Sequence, residues 1–195
     1  GKRLRTFNSI FEKAVARTGN KQILLELLAP LKNKNSYKNL ADADFLEEMD
    51  KCVFRSGFVW KIIEKKWPGF RIAFNEFDIM QCAMLSEEEL DRLMKDTRIV
   101  RHRKKIESVR SNAQLIYYLR DDYRSFSAFL SQWPENDFVS LWEYLKKNGS
   151  RLGGQTGRYF LRFVGFDAPL LTKDVCDALI ANEVIDKPPL SLIHI

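Results

Sequence analysis

The residue types best suited to holding an anion are gathered in one short stretch, Ser150-Arg-Leu-Gly-Gly-Gln-Thr-Gly157. Gly153, Gly154 and Gly157 let the main chain turn tightly and approach a ligand closely. A helical pattern then begins near Thr156 and carries Tyr159, Phe160, Phe163 and Val164. Free N–H groups at the start of such a helix, together with its dipole, form a site that a phosphate fits, with Arg151 and Arg158 beside it. The same stretch also reads as a Gly-rich helix connection with solvated charges. Twenty positions beyond Gly154 stands Asp174, in Leu170-Leu-Thr-Lys-Asp174. Taken alone, Asp174 reads as a helix-start residue behind a Thr172 cap.

Other chemistries are poorly supplied. Cys52, Cys82 and Cys176 are widely spaced and odd in number, as suits a reducing compartment, and the histidines are His102 and His194. No CxxC pair, HExxH, phosphate-binding P-loop or G-x-S-x-G appears, which argues against zinc chemistry, ATP hydrolysis and serine hydrolases. No metal and no cofactor is expected. The 195 residues are 45% hydrophobic and 30% charged, enough for one ordinary domain and unlike a disordered tail. The apolar runs are too short for a membrane span, and no apolar stretch follows the basic Gly1-Lys-Arg3, so a cytoplasmic protein without a secretory leader is expected.

The net charge of +6 is unevenly placed. Between Arg98 and Arg110, six cations (Arg98, Arg101, Arg103, Lys104, Lys105, Arg110) face only Glu107. Between Leu145 and Arg162 there are five cations and no acid. Both segments sit at a break between helical patterns, which marks two basic hairpins suited to a polyanion.

The elements that must position these residues read as helices. Apolar residues recur at helical spacing over Phe7–Val15 and Ile23–Leu31. They recur again after Asp42-Ala-Asp44 (Phe45, Met49, Val53, Phe54) and beyond Gly57 (Val59, Trp60, Ile62, Ile63). Ser86-Glu-Glu-Glu89 is a capping box that opens a further helix, and Ile106 to Tyr117 forms another. Pro68, Pro134 and Pro188-Pro189 read as turns. No period-2 run of strand length appears. The expected class is all-α: a single domain over 1–195, with a middle lobe of about 53–130 and the segments 1–52 and 131–195 packed together as a second lobe.

Cys52-Val-Phe-Arg-Ser-Gly-Phe-Val-Trp60, Trp67-Pro-Gly-Phe70 and Phe74 with Phe77-Asp78 resemble the 3-methyladenine DNA glycosylase I family. So do Asp96-Thr-Arg-Ile-Val-Arg-His-Arg-Lys-Lys-Ile106, Asn112-Ala113, and Leu145 through Gly154. The resemblance is colinear over about 45–175. A Gly hairpin, a helix and then a carboxylate such as Asp174 is the pattern of the wider helix-hairpin-helix DNA glycosylases. The resemblance implies a base-excision repair enzyme that flips an alkylated purine out of double-stranded DNA and hydrolyses its N-glycosidic bond. It implies a monomer. The family's structural-zinc Cys and His residues have no counterparts here, so a metal-free member is expected. The family's pocket glutamate falls at Cys52, and a thiol does not accept hydrogen bonds as a carboxylate does.

On this footing Asp174 is the expected catalytic carboxylate, stabilising an oxocarbenium-like sugar and orienting a water. Trp60, Phe54 and Phe58, with Cys52, are the expected base pocket, because a cationic purine is held well by an electron-rich face. Aromatics at such spacing also read as plain core. Arg101, Arg103, Lys104, Arg151, Gly153, Gly154, Thr156, Gly157 and Arg158 are the expected strand-gripping set. Thr156 stands near the place where strand-cleaving members carry a nucleophilic lysine, which favours a water-using, monofunctional enzyme. The competing expectation is a glycosylase-like protein that binds damaged DNA without cutting it.

Overall fold

A computed structural model describes residues 35–166. The patterns at Phe7–Val15 and Ile23–Leu31, together with Asp174 and Cys176, lie outside the described residues. Within them every regular element is a helix: α1 (Asp42–Arg55), α2 (Trp60–Ala73), α3 (Ile79–Ala83), α4 (Glu87–Leu93), α5 (Arg103–Tyr123), α6 (Phe126–Ser131), α7 (Phe138–Asn148) and α8 (Gly154–Phe163).

The boundaries follow from side-chain chemistry. Asp44 reaches back to accept the Ala41 N–H at 2.9 Å and so satisfies a free donor at the start of α1. Asp42 accepts from the Phe126 N–H (2.8 Å) and from Arg120 Nε (2.8 Å), tying α1 to α5 and α6. At the far end Gly57 adopts φ +68, the left-handed geometry that halts α1 before α2 begins. The Ser86–Glu89 capping box forms as its spacing predicts, with Ser86 Oγ accepting from the Glu89 N–H at 3.1 Å.

Pro68 departs from expectation. It lies inside α2 rather than at a turn. Its neighbour Gly69 shows what this segment is for: a Cβ there would lie 2.6 Å from the Arg98 carbonyl oxygen. The helix therefore has to be bare where the first basic hairpin crosses it, and Lys66 Nζ donates to the Thr97 carbonyl alongside.

α5 runs through the middle, packed on α1, α3, α4 and α6, while α8 packs on α1 and α7. Its inner face is Ile106, Val109, Ala113, Ile116 and Leu119. Trp67, Phe70, Phe74 and Phe77 stack nearly parallel, with interplanar angles of 7–22°. That stack holds Asn75, Glu76 and Phe77 in a left-handed turn, which non-glycine residues rarely adopt. The ends of the described chain meet: the Asn35 N–H donates to the Gly165 carbonyl at 2.7 Å, and Tyr37 packs on Phe166. Buried side chains from Tyr37 to Phe166 form one continuous cluster.

Candidate active site

A cavity of about 450 Å³ opens where the end of α1, the loop Ser56–Val59 and the start of α2 face α8. That size suits a small planar ligand. α1 contributes Cys52 and Arg55, α2 contributes Trp60, and α8 contributes Gln155, Thr156, Tyr159 and Phe163. The aromatic wall is built edge-on: Trp60 meets Tyr159 at 6.1 Å and Phe163 at 6.2 Å between centroids. Tyr159 Oη donates to Gln155 Oε1 at 3.3 Å, which sets a polar pair on the α8 side.

Arg55 underlies this wall. It is 1% exposed, its guanidinium lies 5.0 Å from the Trp60 ring centre and 5.7 Å from that of Phe163, and its Nη2 donates to Glu64 Oε2 at 3.0 Å. Stacking lets a charge sit among aromatic rings at low cost. Cys52 is buried, with its thiol 3.9 Å from Glu48 Oε1, one turn back on α1. Lys105 is also buried. Its Nζ donates to the carbonyls of Ser56 (2.6 Å) and Phe54 (3.2 Å), so a cation closes the C-terminal end of α1 beside the cavity.

The two basic hairpins come together next to that cavity. Ser150 of the second is bound to Asn112 of α5, whose N-terminus emerges from the first. Burial, and after it the Arg151 guanidinium, hold the Lys105 ammonium below the ordinary lysine value. Burial, then Lys105, Arg151 and Lys104, do the same to His102. His102 caps α5 by accepting the Lys105 N–H on Nδ1 at 3.2 Å. Its proton therefore sits on Nε2.

Not every expected residue lies where the sequence reading put it. Cys52, Phe58, Trp60 and Thr156 line the cavity. Phe54 does not: it is fully buried, edge-to-face with Phe70 at 4.7 Å, because helical periodicity turns it from Cys52 and Arg55 into the core. Arg103 is corrected as well. Its guanidinium is tied to Glu87 (2.8 Å), Asp91 (2.6 Å) and Glu107 (2.9 Å), so it fastens α4 to α5 instead of offering a cation to a strand. Arg101, Lys104 and Arg151 are exposed. Arg151 takes φ +59, Gly154 φ +56, and a side chain on Gly157 would run into the Leu152 carbonyl. Gly153 caps α8, and Arg158 lies over the Trp142 ring at 5.3 Å. Asp174 lies outside the described residues.

Sequence reasoning gave no role to Arg55 or Asn112, although both stand in stretches that carry the family resemblance, and it passed over Trp142. Trp142 Nε1 donates to the Gly154 carbonyl at 2.8 Å and braces the second hairpin from α7. An arginine inside the apolar run Val53-Phe54-Arg55 was the available signal for the first of these. Nothing in local spacing marks the other two. Among the described residues no His, Cys, Asp and Glu cluster fit for a metal occurs, and no helix is long and apolar enough to cross a membrane.

The sequence profile of the methyladenine glycosylase family matches residues 37–155, which cover the first hairpin, the cavity's α1 and α2 walls and the second hairpin as far as Gln155, with Thr156, Tyr159 and Phe163 of the α8 wall beyond the match. The chain belongs to the methyladenine glycosylase family. It is similar to DNA-3-methyladenine glycosylase 1 of Escherichia coli K12, 29% identical over 52% of this chain and 64% of the relative. It is also similar to DNA-3-methyladenine glycosylase of Haemophilus influenzae, 29% identical over 39% of this chain and 41% of the relative. The chain thus spans less than two thirds of the length of these curated relatives. Among solved structures it resembles a variant of 3-methyladenine DNA glycosylase I in complex with 3-methyladenine, at TM-score 0.58 and 29% identity over 67% of this chain and 81% of that one. A Staphylococcus aureus 3-methyladenine DNA glycosylase I gives TM-score 0.57 and 26% identity over 68% and 84%.

Proposed function

We propose that this chain is a monofunctional base-excision repair glycosylase that hydrolyses the N-glycosidic bond of an alkylated purine, 3-methyladenine, in DNA. One observation carries the reading: an aromatic cavity of base size opens beside two basic segments from distant parts of the chain, with the Arg151 charge of the second bearing on His102 and Lys105 of the first. The hairpins hold the phosphate backbone of double-stranded DNA through Arg101, Lys104, Arg151 and the bare main chain of Gly153 and Gly154. The extruded base enters between Trp60, Tyr159 and Phe163. Family membership and the base bound in the solved relative support the same substrate class.

An N3-alkylated purine is positively charged, so its glycosidic bond is already weakened and the base departs with the bonding pair as a neutral molecule. The enzyme has to stabilise the cationic sugar left behind and deliver a water, whose oxygen bonds to C1′ while its proton passes to solvent. Asp174 is the proposed group for both tasks. The enzyme works as a monomer in the cytoplasm.

A second reading, binding of damaged DNA without cleavage, draws on Cys52: a thiol lines the cavity where the family resemblance puts a carboxylate. Release of free 3-methyladenine from methylated DNA separates the two. The wild type should release it, and Asp174→Asn should lose most of that release while binding DNA normally. Equal release by both proteins would reject the role given to Asp174, and no release by the wild type would favour the binding protein.

A further inference from the structure

Three adjacent cations open α5, and each is used differently. Arg103 is tied to carboxylates, Lys104 is exposed, and Lys105 turns inward to 5% exposure. The main chain of Lys105 is pinned on both sides: its N–H donates to His102 Nδ1 at 3.2 Å, and its carbonyl accepts from Ser108 Oγ at 2.6 Å. The side chain is thus rooted at a fixed point of a 21-residue helix. Its ammonium crosses to the end of α1, 49 and 51 positions away in sequence, and donates to the carbonyls of Ser56 (2.6 Å) and Phe54 (3.2 Å).

Those carbonyls need a donor from outside their own helix, because the last carbonyls of a helix have no following turn to bond them. The Arg55 carbonyl between them is taken by the Phe58 N–H at 3.0 Å. A side chain on Gly57 would meet nothing within 4 Å, so that glycine serves the geometry of the turn and not its packing. Phe58 and Val59 beyond it are 37% and 49% exposed. Every residue from Arg55 to Trp60 nonetheless lines the cavity. One stretch of wall is therefore a loop with little packing of its own, tied down by charge-assisted bonds from Lys105. Lys105 itself does not line the cavity.

We propose that Lys105 is a positioning residue for the base cavity: its ammonium holds the Ser56–Val59 loop against α5, and its charge serves the pocket and not the DNA backbone. The consequence for the base rests on the reading of the cavity as the seat of an extruded purine. Two neighbouring lysines of one basic segment then have separate tasks, Lys104 outward to a strand and Lys105 inward to the wall around the base.

The test compares Lys105→Met, which keeps the apolar stem and removes the donors, with Lys104→Met beside it. Amide hydrogen exchange at Phe58, affinity for free 3-methyladenine, and affinity for a methylated duplex over a range of salt are measured on the full chain. Urea midpoints check folding. Lys105→Met should speed Phe58 exchange and weaken 3-methyladenine binding about tenfold, the scale of a lost hydrogen bond from a charged donor, while keeping the wild-type salt slope. Lys104→Met should lower that slope by about one and leave Phe58 exchange unchanged. Should Lys105→Met fold poorly, Lys105→Gln, one bond shorter and uncharged, is read in the same way. Wild-type exchange at Phe58 in the Lys105 variant would overturn the proposal. So would faster exchange with wild-type base affinity, or a salt slope lowered as in Lys104→Met. If the wild type binds no 3-methyladenine, the reading of the cavity fails, while Phe58 exchange still decides whether Lys105 holds the loop.

Discussion

The molecule contains two aromatic groups of similar makeup and opposite use. Trp67, Phe70, Phe74 and Phe77 lie nearly parallel and are sealed from solvent. Trp60, Tyr159 and Phe163 meet edge-on around open space, with a guanidinium against two of the three rings. Rings that fill one another's faces leave nothing for a ligand to stack on. Rings turned edge-on leave a face free. Angle alone does not separate the two, since Phe54 meets Phe70 edge-to-face inside the core; what separates a core from a pocket here is the open space beside the rings and the polar company they keep, and residue type says little about either.

The sharpest way to break this comparison is to truncate one ring from each group. Phe70→Ala should cost about 3–5 kcal/mol of stability, because it opens a hole in a packed interior, and thermal denaturation would read the loss. Trp60→Ala should melt closer to wild type yet lose roughly tenfold to hundredfold in base release, the range expected for one base–ring stack. If the two variants lose stability equally and Trp60→Ala keeps full activity in single-turnover assays, the two groups do not differ in the way described.

The basic hairpins offer a second contrast, of smaller size. Arg151 is exposed at a left-handed turn, while Arg103 is tied to three carboxylates. Arg151→Ala should weaken duplex binding and lower the dependence of log affinity on log salt by about one. Arg103→Ala should leave both nearly unchanged. Equal salt slopes in titrations of the two variants would show that ion pairing does not withdraw Arg103 from the strand.

The smallest effect concerns pH. Burial raises the Asp50 carboxyl above its value in the unfolded chain. The folded state thus binds the proton more tightly, and the stability this lends is complete below the unfolded value and is lost as pH rises through the folded one. Asp50→Asn cannot titrate, so the variant should gain on the wild type as pH increases. Urea denaturation at a series of pH values reads the difference, and parallel curves for the two proteins would refute it.

Much of the helical order was legible in the residues themselves. Apolar spacing from Phe45 to Phe54 and from Ile106 to Tyr117, the Ser86–Glu89 box and the glycines after Ser150 each act within a few residues, so local reading suffices. The misses are long-range. Phe54 and Phe58 look alike in sequence, but Phe54 sits on the inner face of α1 while Phe58 lies in the loop beyond its end and lines the cavity. Arg103 counts as a free cation until α4 brings Glu87 and Asp91 to it. Pro68 stays in α2 although its ring cannot donate, because tertiary packing on both sides outweighs one lost bond. Asn112 gains its meaning only from Ser150, far along the chain.

Gly69 carries a practical corollary. With the Arg98 carbonyl lying where its side chain would be, the helix bearing the cavity wall and the loop crossing it interlock like a tongue in a slot. Anyone transplanting this pocket onto another helical scaffold would have to graft the crossing loop along with it, and a library that varies position 69 would return glycine.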